Sequence, residues 1–137
     1  MPLPIASLID WLVSFLGWDA SQESGAPIAP GPYILPMPDR LVTVTSTPGP
    51  GYTLEAAADA QAFQARVRGP QNDQAAAEAL AFALDALILA ASFPVVVNGR
   101  TIIHCHRLGG TPSPLAATPD SGERYELVCS YVLIAGT

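Results

Sequence analysis

The one cluster in this sequence with metal-ligand or nucleophile chemistry is His104, Cys105 and His106, which lie in a segment predicted to be a strand. Because alternate side chains of a strand share a face, both histidines would point one way and Cys105 the other. Two imidazoles on one face can hold zinc when a third ligand converges. The chain has no other histidine, so that ligand would be a distant acid or Cys129. We therefore treat His104 and His106 as weak metal candidates, and expect a histidine pair at the sheet surface or at a subunit contact.

No pattern of an enzyme accompanies these residues. The sequence contains neither G-x-S-x-G nor S-x-x-K, and Cys105 would face away from the imidazoles that could activate it. Residues 48–51, Pro-Gly-Pro-Gly, are a poor phosphate-binding loop, because proline lacks the amide that such loops use. Asp73, Glu78 and Asp85 recur as an acidic strip on a predicted helix, which is usually a solvated face. We expect no enzymatic activity and no cofactor.

Charged residues are scarce in this chain. They make up 13% of its 137 residues, against a usual value of about 25%, while hydrophobic residues reach 50%. A soluble monomer normally carries more charge, so this composition indicates an assembled protein. Twelve acids outnumber six basic residues, all arginine, and the net charge of -6 argues against sequence-independent binding of nucleic acid. We expect Arg66 and Arg68, which share one strand face, to pair with acids.

The cysteines and the apolar N-terminus bear on the compartment. Cys105 and Cys129 are the only cysteines, which favours free, buried thiols in a reducing environment, although a bridge between neighbouring strands stays open. Residues 5–18, IASLIDWLVSFLGW, are apolar, but Asp10 interrupts them and no basic residue precedes Arg40. The run is also shorter than the ~20 residues that span a bilayer. We expect synthesis in the cytosol and no membrane contact.

The chain is organised around residues 61–91, QAFQARVRGPQNDQAAAEALAFALDALILAA. Apolar and polar residues alternate from Phe63 to Arg68, which predicts a half-buried strand. Gly69-Pro70 is predicted to end the strand. Asn72 or Asp73 can then cap a helix by accepting from its first free amides.

The predicted helix, residues 73–91, is apolar on most of its sides. Its buried face is expected to comprise residues at helical spacing, namely Ala77, Leu80, Leu84, Leu87, Ile88 and Ala91. Beside it runs an alanine stripe of Ala75, Ala79, Ala83, Ala86 and Ala90. A two-layer domain covers one helix face, so another subunit is the simplest cover for the rest. The predicted subunit-interface residues are Ala79, Phe82, Ala83, Ala86 and Leu89, together with Pro48, Gly49, Pro50 and Gly51 of a protruding loop.

The other segments predict one domain spanning residues 1–137. It comprises an N-terminal helix within 1–18, a proline-rich connector without regular structure at 19–39, and a sheet with the central helix at 40–137. Further strands are predicted at 40–47, 94–97, 100–107 and 124–135, with Asn98-Gly99 as a type I′ turn. Runs of strands with segregated helices indicate an α+β fold. We expect a single, mostly antiparallel sheet of about five strands, packed by the N-terminal helix and one long central helix.

Two stretches of the chain resemble a known protein family. The segment TLEAAADAQAFQARVRGPQNDQAAAEALAFALD, residues 53–85, resembles the tail terminator proteins (minor capsid or minor tail proteins) of long-tailed, siphovirus-type bacteriophages. The ending LGGTPSPLAATPDSGERYELVCSYVL is similar to the ending of the same family. The resemblance covers about two thirds of the chain in the same order, and its most specific pieces are FQARVRGPQND and the stretch GGTPSPL…D…ERYEL.

The resemblance implies a structural virion protein. Members of this family form a homohexameric ring that caps the tail tube, ends its polymerisation and provides the head-joining surface. The implied partners are further copies of the chain, the tail tube protein and a head-completion or neck protein, with genomic DNA only passing through the lumen. The implied place is the head-proximal end of the tail, after assembly in the host cytoplasm. Two alternatives stay open, namely another neck component (head-completion or tail-completion protein) and a small metal-dependent enzyme built on His104 and His106.

Overall fold

The computed structural model describes residues 3–18, 26–31, 34, 39–53, 58–115 and 123–136. The helical elements in these residues are α1, Ile5–Asp10, which continues as a π-helical turn over Trp11–Phe15, and α2, Gln74–Leu89. The strands are β1 Ile28–Pro30, β2 Leu41–Thr53, β3 Ala58–Gln71, β4 Val95–Val97, β5 Arg100–Arg107, β6 Ser113–Pro114 and β7 Arg124–Gly136.

These strands form one sheet in the order β1-β2-β3-β7-β5-β4, and β6 also pairs with β7. Strand β7 is central because β3 pairs along one of its edges and β5 and β6 along the other. Every described pairing is antiparallel except that of β1 with β2. The predicted α+β class and its mostly antiparallel sheet are confirmed. The five expected strands are present, and the short strands β1 and β6 are added to them.

The turn between β4 and β5 follows the sequence prediction. Asn98 and Gly99 have φ angles of 50° and 81°, both in the left-handed region that a type I′ turn requires. Val97 pairs directly with Arg100 across this two-residue connection. The residue types at the turn therefore set the register of this hairpin.

The junction between β3 and α2 corrects one prediction. Gly69-Pro70 does not end the strand, because β3 continues to Gln71 and only its register with β7 shifts after Arg68. A Cβ atom on Gly69 would lie 2.6 Å from the Cβ of Ala77 in α2. Glycine is needed here because strand and helix approach each other too closely for a side chain.

Of the two predicted caps, Asp73 is the one that begins α2. Its carboxylate accepts a hydrogen bond from the amide of Ala76 at 3.0 Å. Asn72 instead adopts a left-handed conformation, with φ 57°, and its amide donates to the carbonyl of Glu123 at 2.7 Å. The turn before the helix is thereby tied to the start of β7.

Both helical elements pack on the same face of the sheet, which we call the inner face. Leu8, Trp11 and Leu12 of the N-terminal helix are buried in one core with Phe63 of β3 and Leu84 of α2. The prediction that this helix packs on its own sheet is confirmed. Trp11 and Trp18 are buried as well. Ser7 of the same helix is also buried.

Two predicted irregular segments contain strand structure. Within the connector 19–39, Ile28–Pro30 pairs parallel with β2, and an edge strand tolerates the missing amide of Pro30. Residues 19–25, 32–33 and 35–38 lie outside the described residues. The predicted protruding loop that contains Pro48–Gly51 includes strand structure, because Gly51 resumes pairing with Ala60 after a register shift. Pro48, Gly49, Pro50 and Gly51 thus belong to the backbone of β2, and their predicted interface role stays a prediction.

The predicted acidic strip is wrong at one position. Asp85 does not face water. Its side chain is buried between α2 and the sheet, where Oδ1 accepts a hydrogen bond from the Tyr131 hydroxyl at 2.8 Å. Arg107 of β5 lies 3.5 Å from the same oxygen. A charge can be buried when it is hydrogen-bonded and paired, so these contacts explain its position. They connect α2 to two strands of the sheet.

Replacement of Asp85 by alanine tests the weight of these contacts. The change removes the acceptor of the Tyr131 hydroxyl and the ion-pair partner of Arg107 inside the structure. We expect the free energy of unfolding to fall by about 2–4 kcal/mol, measured by urea denaturation. The control is Glu78→Ala on the same helix, where the carboxylate meets Gln74 in an exposed contact, with an expected change below about 0.5 kcal/mol. Equal losses in both variants would contradict a special role of Asp85.

Candidate assembly surface

The side of α2 that turns away from the sheet is apolar and exposed. Phe82 and Leu89 are 47% and 45% exposed, and the alanines Ala79, Ala83 and Ala86 on the same side of the helix are exposed as well. The structure places all five predicted helix residues on one continuous outer side. Whether they form a subunit contact stays a prediction, since the structure contains one copy of the chain.

Two grooves flank this side of α2. The first, about 490 Å³, is lined by Ala76, Ala79 and Ala83 along the helix and by Arg40 and Pro70 opposite. The small alanine side chains leave this space open. The second groove, about 370 Å³, separates α2 from the N-terminal helix and is lined by residues that include Phe15, Leu16, Leu87 and Ala90. The helices therefore present a surface of ridges and hollows, which suits close packing by another protein surface.

The large exposed hydrophobic side chains fall into two groups. Among the described residues there are eight of them, exposed by 38% to 59%. Four belong to the helices, and we call them the helix patch: Val13, Phe15, Phe82 and Leu89. The other four belong to β4, β5 and the segment that follows β5, and we call them the sheet patch: Val96, Ile103, Leu108 and Leu115.

The sheet patch lies on the outer face, opposite the helices. Tyr131 points to α2, so its neighbours Val132 and Ser130 point away from it. The backbone amide of Leu108 donates to the carbonyl of Ser130, and that of Leu115 to the carbonyl of Glu126. Opposite residues of an antiparallel pair share a face, so both leucines lie on that outer side. Val96 and Ile103 lie on the outer face as well. Thr101 and Ile103 both approach the same side of Gly136, and Val96 is opposite Thr101 in the hairpin.

Sequence reasoning missed the sheet patch. The prediction for this region rested on alternation, but Ile102 is buried while Ile103 and His104 are both exposed. The reason is a register shift between Ile102 and His104, where one residue of β5 is extra relative to β7. The adjacent isoleucines at 102 and 103 were the available signal, since two large apolar residues in sequence cannot both face one core in a regular strand.

His104 and His106 lie on the outer face as predicted. Their rings stack with centroids 5.5 Å apart, and an edge of His104 also meets Phe93 at 5.7 Å. Cys105, between them, is buried on the inner face. Among the described residues, no group of three or more His, Cys, Asp or Glu side chains is arranged to hold a metal ion. The pair is a polar and aromatic part of the surface beside the sheet patch.

The two arginines of β3 lie on the outer face, near the other end of the sheet. Arg66 pairs with Glu126 of β7 at 2.6 Å, as the sequence suggested. The Nε of Arg68 donates to the backbone carbonyl of Asp39 at 2.8 Å, so a carbonyl rather than a carboxylate receives this bond. The carboxylate of Asp39 instead meets Arg124 at 3.3 Å. These contacts give the outer face a polar region beside its apolar patch.

The inner face under α2 holds neutral titratable groups. Cys105 and Cys129 are free and buried, so the thiols are not bridged. Burial raises the pKa of the Cys105 thiol from 9.0 to about 12, and burial is also the main reason that the pKa of Cys129 is raised. Burial, with hydrogen bonds to Cys129 and Asp85, raises the pKa of the Tyr131 phenol above its ordinary value of 10.0. Both thiols and the phenol are therefore protonated at neutral pH.

The comparisons with known proteins identify the fold. No protein-family model matches the sequence, and no curated protein matches it. A chain from the virion of a native gene transfer agent particle has a similar fold, with a TM-score of 0.57, 14% identity, and coverage of 92% of this chain and 84% of that chain. A second solved chain has a TM-score of 0.53, 19% identity, and coverage of 94% and 92%. At these identities the likeness concerns the fold.

Within the described part of the chain, neither helix has the length and hydropathy to cross a membrane.

The buried thiol and phenol predict a loss of stability in alkali. Unfolded chains lose the thiol proton near pH 9.0 and the phenol proton near 10.0, whereas the folded protein retains both to higher pH. Unfolding therefore releases protons above about pH 9, and each group then lowers the free energy of unfolding by about 1.4 kcal/mol per pH unit. Urea denaturation between pH 7 and 10.5 measures this slope. Cys105→Ala should reduce the slope between pH 9 and 10; an unchanged slope in that variant would contradict the assignment.

Proposed function

We propose that this protein is a structural component of the particle of a tailed phage or a phage-like element. The observation that carries the proposal is the likeness of its fold, over most of both chains, to a chain of the gene transfer agent virion. The exposed apolar surfaces of the described residues support the same conclusion, because such surfaces mark contacts with other proteins. The role is therefore to bind other proteins of the particle.

Within the particle, we propose the role of tail terminator. In this role a ring of copies, six by the sequence resemblance, caps the tail tube, ends its polymerisation and provides the surface to which the head is joined. A closed ring repeats one heterologous contact around an axis, so each subunit needs apolar surface beyond its own core. The outer side of α2, with Phe82, Leu89 and the alanines on the same side, supplies such surface.

The proposed partners follow from that position. Further copies of the chain lie beside each subunit, the tail tube protein below the ring, and a head-completion or neck protein above it. Genomic DNA only passes through the lumen. The net charge of -6 is compatible with this passage, since an acidic wall repels the DNA backbone instead of binding it.

Particle assembly without this protein tests the terminator role. If the ring ends tube growth, loss of the protein leaves polymerisation unchecked, and we expect tails longer than normal that are not joined to heads. Electron microscopy of particles from cells that lack the protein measures tail length directly. A tagged copy should appear at the head-proximal end of the tail.

The outcomes of that experiment separate the alternatives. Tails of normal length that are detached from heads would indicate another neck component and overturn the terminator role. Tagged protein elsewhere in the particle would overturn it as well. Protein absent from purified particles would overturn the proposal that this is a structural component.

Substitution of Phe82 by aspartate tests whether α2 forms the subunit contact. Phe82 is exposed, so the domain should fold, but the new charge would be buried in the contact. We expect circular dichroism and thermal stability close to wild type, and self-association weaker by at least about tenfold in analytical ultracentrifugation. The control is Gln74→Asp, which adds the same charge to the polar strip of the same helix and should associate as wild type does. Loss of folding in Phe82→Asp would place Phe82 in the core instead.

A further inference from the structure

We propose that Asn98 is a site of spontaneous covalent modification, and that its deamidation weakens the attachment of the N-terminal helix to the β4–β5 hairpin. Asn98 and Gly99 form the exposed two-residue turn of this hairpin. The Asn98 carboxamide contacts the N-terminal helix, and the reaction replaces its hydrogen-bond donor with a negative charge. Since the reaction concerns the turn and the helix of a single copy, it does not depend on the role of the protein in a particle.

The reaction needs only the turn itself and water. Asparagine is one of the thermolabile residues. The backbone nitrogen of Gly99 attacks the Cγ atom of Asn98, the bond from Cγ to Nδ2 breaks, and the Nδ2 group leaves as ammonia with the proton of the Gly99 amide. A five-membered succinimide ring remains. Water then opens the ring at one of its two carbonyl groups, which gives an aspartate or an isoaspartate. Ammonia is released for each water consumed, and no electrons are transferred.

The surroundings of the turn leave this attack sterically open. Asn98 and Gly99 are both exposed to water. Glycine has no side chain to shield its own nitrogen, and an atom at the Cβ position of Gly99 would meet nothing within 4 Å. The carboxamide of Asn98 is held by hydrogen bonds of 3.1 and 3.3 Å at the surface, which can open without unfolding of the hairpin.

The other asparagine of the chain, Asn72, is an internal control. It is exposed, and it adopts the same left-handed conformation, with φ 57° against 50° for Asn98. The residue after it is Asp73, which has a side chain beside the nitrogen and whose amide donates to the carbonyl of Pro70 at 3.4 Å. The two asparagines are thus matched in exposure and backbone conformation, and they differ in the residue that supplies the nucleophile.

The product changes the contact between the turn and the N-terminal helix. In the unmodified protein, Nδ2 of Asn98 donates to Oγ of Ser7 at 3.1 Å and to Oδ2 of Asp10 at 3.3 Å. A carboxylate has no proton to donate, and it would face the Asp10 carboxylate with the same charge. The isoaspartate product also adds one carbon to the main chain, which a two-residue type I′ turn does not accommodate. Deamidation therefore removes both hydrogen bonds and introduces a repulsion.

Ageing of the purified protein tests the reaction. After incubation at mildly alkaline pH, peptide mass spectrometry should detect the conversion of carboxamide to carboxylate at Asn98, with isoaspartate among the products. Conversion of Asn98 should be faster than that of Asn72 by at least about tenfold, since only Asn98 precedes a residue without a Cβ atom. An Asn98 that stays unmodified, or that reacts no faster than Asn72, would overturn the proposal.

The variant Asn98→Asp tests the effect on the helix. Hydrogen exchange of the amides in residues 5–15, measured by mass spectrometry, should be roughly threefold to tenfold faster than in the wild type, because two surface hydrogen bonds are lost. Exchange in α2 is the reference and should not change. Trp11 and Trp18 are the only tryptophans of the chain and both are buried in the N-terminal segment, so acrylamide should quench their fluorescence more strongly in the variant.

A second substitution tests whether the contact with Asp10 is the cause. Asp10→Asn, combined with Asn98→Asp, exchanges donor and acceptor between the two positions and should slow the exchange of the helix toward the wild-type rate. Deamidated wild-type protein, separated by anion exchange on its extra negative charge, replaces Asn98→Asp if that variant fails to fold. Exchange of the helix at the wild-type rate after deamidation, or a faster exchange that Asp10→Asn does not reverse, would overturn the proposed effect on the helix.

Discussion

The pairing of Asp85 with Tyr131 and Arg107 is the contact on which the orientation of α2 depends. The helix is apolar on most of its sides, so hydrophobic burial by itself distinguishes poorly between one side and another. A directional polar contact does distinguish them. A rotation of α2 that moved Asp85 away would leave the hydroxyl of Tyr131 and the guanidinium of Arg107 without this acceptor in the core, at a cost of several kcal/mol. This contact therefore determines that Phe82 and Leu89 face outward.

The outward orientation of Phe82 and Leu89 links the fold to the proposed assembly. In this domain the outer side of α2 and part of the outer sheet face are exposed, although Val132 and Ala62 on that outer face are buried. In this protein both surfaces carry large hydrophobic side chains, together with a low content of charge. A ring subunit has two neighbours, and it can bury one surface against each. The architecture and the composition thus both support the proposed assembly.

Local chemistry made part of the fold predictable. Asn98-Gly99 specifies its own turn because only a few residues accept two successive left-handed conformations, and Asp73 caps α2 through an amide three residues away. Alternation along β3 and the helical spacing of Ala77, Leu80 and Leu84 also place these residues correctly in the core. Each of these signals acts over a few neighbouring residues, so the linear sequence contains all the information that it needs.

Contacts between distant segments were not predictable in this way. Asp85 was assigned to a solvated strip because its partners are 22 and 46 residues away and become neighbours only when β5 and β7 pair. The extra residue in β5 that turns Ile103 outward depends likewise on its register with β7. The pattern of residue types was sufficient for the secondary structure, the class of fold and the excess of apolar surface. The position of that surface, on two opposite sides of the subunit, required the folded chain, because burial and charge pairing are decided by residues that only tertiary packing brings together.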